Sequence, residues 1–396
     1  MKKRNIVLVY VSFLFLFRMG LGFIGGTYSN YLRSFGLDEL QVNLVNVAFF
    51  ITIFLFEIPT GIFADVFGRK KSFVMACFIF TISNLIYATS HSFWGFVTAE
   101  IIGAIAATFS SGAFQAWFVD RLKHYGHNEK LNDVLVIEQW ASCGAGALCA
   151  VAGGAMADYY LPLPWIAGSV AFFMTGIIAV FAMREEAFVK TSHSWRSALV
   201  KMKDTAVMSY RFARKDKAFK FILLAGMVLA FSLMAPNMEW QTIFHFKTPK
   251  NLYNGLIMAG VLAFIMLGGI ASKWLVKKVT NEQVAITISQ IVIGIFIILS
   301  VSSGYVPVVI GFFLAHEAGR GMYGPIKNAY LNDTIPGAER ATLLSVESMT
   351  SNLSGALGLV TSGAIAKYFG IPAAWIVSGG LLIVLTIILN RVTRQK

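Results

Sequence analysis

The chain alternates long apolar runs with short polar turns from one end to the other. A helix needs roughly 20 apolar residues to cross a bilayer, and about twelve of the runs reach that length. The first six predicted spans lie near 6–30, 41–64, 72–90, 94–119, 133–157 and 163–183. The second six lie near 218–244, 252–274, 283–302, 306–328, 341–366 and 371–390. This pattern predicts an all-α integral membrane protein with twelve transmembrane helices.

One polar stretch, residues 184–217, interrupts the alternation with nine Lys or Arg and four acids. Its apolar residues Trp195, Leu199, Met202 and Ala206 have helical spacing, which suits a helix lying on the membrane surface. A flexible linker with scattered apolar residues explains the stretch equally well. In either case we predict an N-terminal six-helix bundle (1–183), a cytoplasmic linker (184–217) and a C-terminal six-helix bundle (218–396).

The net charge of +13 follows the predicted topology. With the amino terminus inside, most Lys and Arg fall in cytoplasmic segments, which is the bias that orients membrane proteins. We therefore expect a multi-pass protein of the cell (inner) membrane with both termini in the cytoplasm. The basic residues then contact anionic lipid, and we expect no nucleic acid partner.

Composition excludes several other classes of protein. Hydrophobic residues make up 57% of the chain and charged residues 13%, whereas a soluble domain has about 25% charged residues. Cys77, Cys143 and Cys149 lie inside predicted helices without disulfide or zinc spacing. His316 and Glu317 are the one catalyst-like pair, and a single His makes no metal site. A phosphate-binding loop is also missing from the sequence, so we expect no enzyme, metal or cofactor.

Ionisable residues inside the predicted spans are the candidate functional groups. A charge that faces lipid is costly, so such residues face a cavity or a partner. Spans 3, 6, 9 and 12 carry none in their cores, and span 8 is also free of them, which predicts that 3, 6, 9 and 12 lie outside a polar centre. The candidate substrate and proton cavity comprises Arg18, Glu57, Glu138, His316, Glu317, Arg320 and Glu347. Glu100 and Glu239 lie in the outer third of their spans.

The hairpin between spans 2 and 3 carries an acidic and then a basic group. Glu57, Gly61 and Asp65 lie four residues apart, on one stripe of span 2. Glycine there permits a close approach of helices, and an acid at a span end can pair with a cation or cap a helix. Arg69, Lys70 and Lys71 hold the turn in the cytoplasm.

This hairpin resembles the signature loop of the major facilitator superfamily, Gly-x-x-x-Asp-Arg/Lys-x-Gly-Arg/Lys-Arg/Lys. The matching residues are Gly61, Asp65, Gly68, Arg69 and Lys70, and Val66 departs from the pattern. The resemblance implies the major facilitator fold of two six-helix bundles. It also implies that Asp65 latches the two halves on the cytoplasmic side, near residues 339–342 at the start of span 11. Arg121 is a possible partner, and Arg340 belongs to the same gate or serves only as a positive anchor.

The resemblance implies a secondary active transporter that works by alternating access. Residues 57–61 and 116–120 look like the drug-exporting branches, although span 5 lacks the proline of their usual motif. We expect proton-coupled export, by antiport, of small lipophilic compounds, with the proton gradient as driving force. The expected partners are substrate, protons and lipids, and the expected state is a monomer. Two alternatives stay open: uptake of a polar or anionic metabolite bound by Arg18 and Arg320, and a lipid flippase.

Overall fold

The structure, a computed structural model, describes residues 3–126, 132–185, 216–247, 249–279, 281–334 and 340–393. These ranges form fifteen helices and no strand. The first eight are α1 (Lys3–Gly25), α2 (Tyr28–Ser34), α3 (Glu39–Phe67), α4 (Arg69–Thr89), α5 (Phe93–Ser110), α6 (Ala113–His124), α7 (Asn132–Tyr159) and α8 (Leu163–Ala182). The others are α9 (Lys217–Ser232), α10 (Met234–Lys247), α11 (Asn251–Lys278), α12 (Glu282–Leu299), α13 (Val306–Thr334), α14 (Arg340–Phe369) and α15 (Ile371–Thr393).

The predicted all-α membrane fold is confirmed. Ten segments of the described chain are long and apolar enough to cross a membrane, two of them formed by the successive pairs α5–α6 and α9–α10. The helices α13 and α14 fall outside this set, although they have 29 and 30 residues. At about 1.5 Å per residue both are long enough to cross, but they are rich in polar side chains. The number of twelve spans is consistent with this and stays a prediction.

The chain divides into two compact units. The N-terminal unit comprises residues 1–36, 51–199 and 248–259, and the C-terminal unit comprises 37–50, 200–247 and 260–396. Each unit therefore includes the N-terminal part of one helix, α3 or α11, that the continuous halves assign to the other. The predicted domain limits remain a prediction, and the proposed surface helix with Trp195, Leu199, Met202 and Ala206 lies outside the described residues.

The core of the N-terminal unit is aromatic. The helix α1 packs against α7 and α8, and α4 packs against α5 and α8. Tyr10 of α1 stacks on Phe114 and Phe118 of α6, with ring centroids 4.7 and 4.1 Å apart. Phe80 stacks on Phe172 at 4.6 Å. Offset stacking of this kind adds roughly 0.5–1.5 kcal/mol per pair beyond the burial of area, so these rings fix the helices that carry the candidate residues.

Two helix ends are held by polar contacts within their units. In the N-terminal unit, the Asp158 carboxylate of α7 accepts hydrogen bonds from the backbone N–H groups of Asn251 and Leu252, at 2.6 and 3.0 Å. It caps the start of α11, whose first N–H groups have no partner inside the helix. In the C-terminal unit, the Asn43 amide donates to the Leu359 carbonyl of α14 at 3.0 Å.

The outer-helix prediction finds support in the apolar faces of α8 and α15. Large apolar side chains along both helices are exposed, for example Phe173, Phe181, Val384 and Ile388. These are spans 6 and 12 of the sequence pattern. In a membrane such faces contact lipid, whereas the ionisable residues concentrate on other helices.

An ion pair in the C-terminal unit yields a pH prediction. The Lys367 ammonium lies 2.9 Å from the Asp38 carboxylate. Slight burial pushes the pKa of Asp38 up, but hydrogen bonds from Gln41 and Lys367 outweigh it, so this pKa is lowered overall. The hydrogen bond and charge of Asp38 raise the pKa of Lys367. The acid therefore stabilises the fold until the pH falls through its lowered pKa, and the lysine until the pH rises through its raised pKa.

We expect the pair to stay charged between roughly pH 4 and pH 10. Asp38→Asn should lower the thermal midpoint by the same small amount at any pH within this window, and the difference from wild type should vanish at more acid pH. The measurement is a series of melting curves of the two proteins in detergent. A difference that varies strongly across neutral pH would contradict the assignment.

Candidate functional site: buried charges and the hairpin between α3 and α4

A first polar network lies on α13 in the C-terminal unit. Glu317 is 3% exposed and lies 3.4 Å from both His316 Nε2 and Arg320 Nη1. Arg320 also donates to the Asn237 side-chain oxygen of α10 at 2.9 Å. The His316 Nδ1 contacts the Phe313 carbonyl. The structure thus brings together three predicted cavity residues and adds Asn237, which was not predicted because amides carry no charge signal.

A second network joins α13 to α14. The Lys327 ammonium lies 3.0 Å from each oxygen of the Glu347 carboxylate. Ser351 lies 3.4 Å from the same carboxylate, and Glu347 also acts on Tyr323. Glu347 is 7% exposed, so this is a largely buried ion pair. In the sequence, Lys327 stands at the end of its span and counts as a cytoplasmic anchor, which is why its pairing was not foreseen.

The polar side chains of α13 follow one stripe of the helix. His316, Arg320, Tyr323 and Lys327 stand at i, i+4, i+7 and i+11. Residues at this spacing share a face. This periodicity is the signal in the sequence that could have placed Lys327 with the cavity residues.

The N-terminal unit carries three of the predicted cavity residues. Arg18 is exposed on α1, and Glu138 is half-buried on α7. Both act electrostatically on the hydroxyl of Tyr10, which is fully buried, so the structure brings them into one neighbourhood. Glu57 is half-buried on α3, and its carboxyl has no ion pair within the described residues.

An apolar groove of about 790 Å³ runs along α1 beside Glu138. Six residues of α1 between Val7 and Leu16 line it together with Ile137, the neighbour of Glu138 on α7. Ser12 is its one polar lining residue among those described. A groove of this character suits an apolar ligand.

The hairpin glycine Gly68 starts α4. Its φ of +104° lies where L side chains are strained, and a Cβ there would come within 2.5 Å of Glu185 Oε2. That carboxylate accepts hydrogen bonds from the backbone N–H groups of Arg69 and Lys70, at 2.5 and 3.3 Å. A carboxylate at a helix N-terminus satisfies free donors and interacts favourably with the helix dipole. Glycine is therefore required here both by the positive φ and by the lack of room for a side chain. Glu185 is a partner of the motif that the sequence did not indicate.

Two basic residues of the hairpin, Arg69 and Lys70, contact other helices of the N-terminal unit. The Arg69 guanidinium pairs with Asp120 at the end of α6, and the Lys70 ammonium donates to the Val180 carbonyl at 2.7 Å. Arg121 is buried, lies over the Trp117 ring at 5.4 Å and donates to the Arg184 carbonyl at 3.3 Å. These contacts tie the ends of α4, α6 and α8 together.

The other predicted gate residues are Asp65, Gly61 and Arg340. Asp65 is exposed on the last turns of α3. A Cβ at Gly61 would meet no atom within 4 Å, so the close helix approach expected there is not made by the described residues. Arg340 begins α14, but its side chain, like residue 339, lies outside the described part of the chain. The predicted latch on Asp65 stays a prediction.

The described residues hold no group of three His, Cys, Asp or Glu side chains that could bind a metal ion. The sequence model of the Major Facilitator Superfamily matches residues 11–315 and 282–395. The chain belongs to this superfamily. It is therefore a multi-pass membrane transporter of small molecules rather than an enzyme.

The named relatives agree with this assignment. The chain is 24% identical to the MFS-type transporter YxaM of Bacillus subtilis (strain 168), over 98% of this chain and 96% of the relative. It is 22% identical to Multidrug resistance protein 2 of the same organism, over 92% of this chain and 89% of the relative. Among solved structures, the nucleoside transporter NupG superposes with a TM-score of 0.82 at 14% identity, covering 99% of this chain and 100% of NupG. That likeness concerns the fold alone.

Proposed function

We propose that this chain exports small lipophilic compounds in exchange for protons. Two six-helix bundles, residues 1–183 and 218–396, alternate between inward and outward access. The proton gradient drives the cycle without a cofactor. The protein works as a monomer in the cell membrane, in contact with lipid, with both termini in the cytoplasm.

The observation that carries the proposal is the pair of buried acids in the C-terminal unit. Glu317 and Glu347 are 3% and 7% exposed, and each contacts a cation of α13. A proton on Glu347 removes the charge that holds Lys327, so proton binding changes the contact between α13 and α14. A proton shifts a conformational equilibrium only through such a difference between states.

The apolar groove along α1 supports a lipophilic substrate with a cationic group. Its walls are almost entirely apolar, and Glu138, the sequence neighbour of the lining residue Ile137, is the acid that would pair with a cationic group. The similarity to Multidrug resistance protein 2 over 92% of the chain supports export of drug-like compounds.

The test is the flux of a fluorescent lipophilic cation in proteoliposomes under an imposed pH gradient. Wild-type protein should move the dye only while the gradient is present. Glu57→Gln and Glu347→Gln remove a carboxylate that could bind a proton, and at least one of them should abolish gradient-driven movement. Glu282→Gln, in the first turn of α12, is the matched control and should transport like wild type.

Either of two results would refute this proposal. Folded, correctly oriented wild-type protein that moves no dye would exclude the lipophilic-cation class. Dye movement that ignores the gradient would exclude proton coupling. Protein-free vesicles correct both measurements for passive leak.

A second candidate function rests on Arg18. This arginine is exposed in the middle of α1 and forms no ion pair within the described residues, so its guanidinium is available for a carboxylate or phosphate. Uptake of an anionic metabolite uses that charge. Wild-type uptake of such an anion, abolished by Arg18→Gln, would favour this function over export of cations.

A further inference from the structure

A carboxyl group outside the networks described above lies deep in the outer half of the N-terminal unit. Glu100, on α5, is 9% exposed. Its oxygen Oε2 accepts a hydrogen bond from the Tyr87 hydroxyl of α4, and the Tyr28 hydroxyl of α2 interacts with the same group. Among the described residues, none of the interactions acting on Glu100 comes from Lys, Arg or His. A buried carboxylate without a cationic partner is unfavourable.

The surroundings of Glu100 hold this carboxyl in a fixed place. The Tyr87 ring stacks on Trp165 of α8, with centroids 3.9 Å apart, and the Tyr31 hydroxyl donates to the Tyr87 carbonyl at 2.9 Å. The titratable groups that face Glu100 are therefore Tyr87 of α4 and Tyr28 of α2. The helix α6, which also packs on α5, carries its charged residues beyond the opposite end of α5.

The two phenols can satisfy the carboxyl group in either protonation state. An ionised carboxylate accepts hydrogen bonds only, whereas a protonated one also donates, and a phenol hydroxyl can do both. The Tyr28 and Tyr87 oxygens lie 3.3 Å apart, and either can be the donor. When Glu100 takes up a proton, the hydroxyl hydrogens can rotate and no buried polar atom loses its partner.

Burial decreases along this cluster from Glu100 to Tyr28. Tyr28 is half-buried, whereas Glu100 and Tyr87 are buried. The helix α2 connects α1 to α3, and the predicted topology places this connection on the outer side. Tyr28 is therefore the most exposed of the three residues.

We propose that Glu100 is a proton-binding residue of the transport cycle, loaded from the outer side through Tyr28 and Tyr87. The step is a simple protonation: a proton from the outer solution adds to the Glu100 carboxylate and leaves it on the return half of the cycle. This inference rests on the proposed proton-coupled export and assigns it a second acid, in the N-terminal unit.

The test is infrared difference spectroscopy of the purified full-length protein between acid and alkaline buffer. We expect a carbonyl band of a protonated carboxyl that appears as the pH falls. Glu100→Gln should lose this band. Tyr87→Phe should keep the band and move it to higher wavenumber, because the carbonyl loses a hydrogen bond. Tyr31→Phe is the matched control, because its hydroxyl binds a main-chain carbonyl in the same cluster, and it should leave the band in place.

The same variants are then compared in the gradient-driven flux assay. Glu100→Gln should lose gradient-driven movement, and Tyr31→Phe should retain it. A Glu100 band that is absent, or that does not change with pH, would reduce this carboxyl to a structural tie between α4 and α5 and overturn the proposal. Full gradient-driven flux in Glu100→Gln would overturn it as well.

The spectrum requires no substrate, so the two proposals fail separately. A titrating Glu100 band in wild-type protein that moves no dye would refute the export of lipophilic cations and still support proton binding at this site. If Glu100→Gln does not fold, the shift of the band in Tyr87→Phe alone decides whether this carboxyl is the one that titrates.

Discussion

Replacing Lys327 by glutamine is expected to destabilise the protein by about 3 kcal/mol, because removing one partner of a buried ion pair leaves the other charge unpaired. The Lys327 and Glu347 side chains are 19% and 9% exposed, and the ammonium lies 3.0 Å from both carboxylate oxygens. Glutamine fills most of the same volume without the charge. The thermal midpoint in detergent, followed by tryptophan fluorescence, should fall by several degrees.

The double variant Lys327→Gln with Glu347→Gln is the matched control for this prediction. It leaves no unpaired charge, so it should be more stable than Lys327→Gln alone, and the thermodynamic cycle should report a favourable coupling between the two residues. Equal midpoints for Lys327→Gln and wild type would mean that the pair contributes as little as one in open water, about 0–1 kcal/mol.

Gly68→Ala, in the hairpin between α3 and α4, is expected to destabilise the protein by a comparable amount. A methyl group at φ +104° strains the backbone by about 1–3 kcal/mol. The same methyl would meet Glu185 Oε2 at 2.5 Å and displace the carboxylate from the first N–H groups of α4, at a further cost of about 1 kcal/mol. We expect a lower thermal midpoint and a lower yield of folded protein.

The matched control lies in the same motif. Gly61 is inside α3, where a Cβ would meet no atom within 4 Å among the described residues. Alanine is preferred over glycine in a helix by up to about 1 kcal/mol, so Gly61→Ala should leave the midpoint unchanged or raise it. An equal fall of the thermal midpoint in both variants would contradict the capping role of Glu185. It would indicate that the motif needs small residues for another reason.

The hairpin shows which parts of the site can be predicted from the sequence alone. Spacing and a family resemblance identified Gly68, Arg69 and Lys70 as a unit, and the structure places all three at the start of α4. Their partners Asp120 and Glu185 were not predicted. Arg69 is 51 residues from the first and 116 from the second, and no local periodicity links positions so far apart.

The sequence by itself determined the membrane class, most of the helices and the ionisable residues that lie within them. Lipid imposes these features on every segment separately. A span must be apolar and about 20 residues long, and a charge within it must face a cavity or a partner. Glu317 and Glu347 could therefore be selected without a structure.

Only the tertiary structure decided which charges meet. From the sequence, Lys327 is a cytoplasmic anchor, but the packing of α13 against α14 brings it to Glu347. From the sequence, Glu100 is an isolated acid, but α4 and α2 place two phenols against it. A pairing depends on the rotation and depth of two helices about their own axes, which their joint packing sets and which neither helix encodes alone.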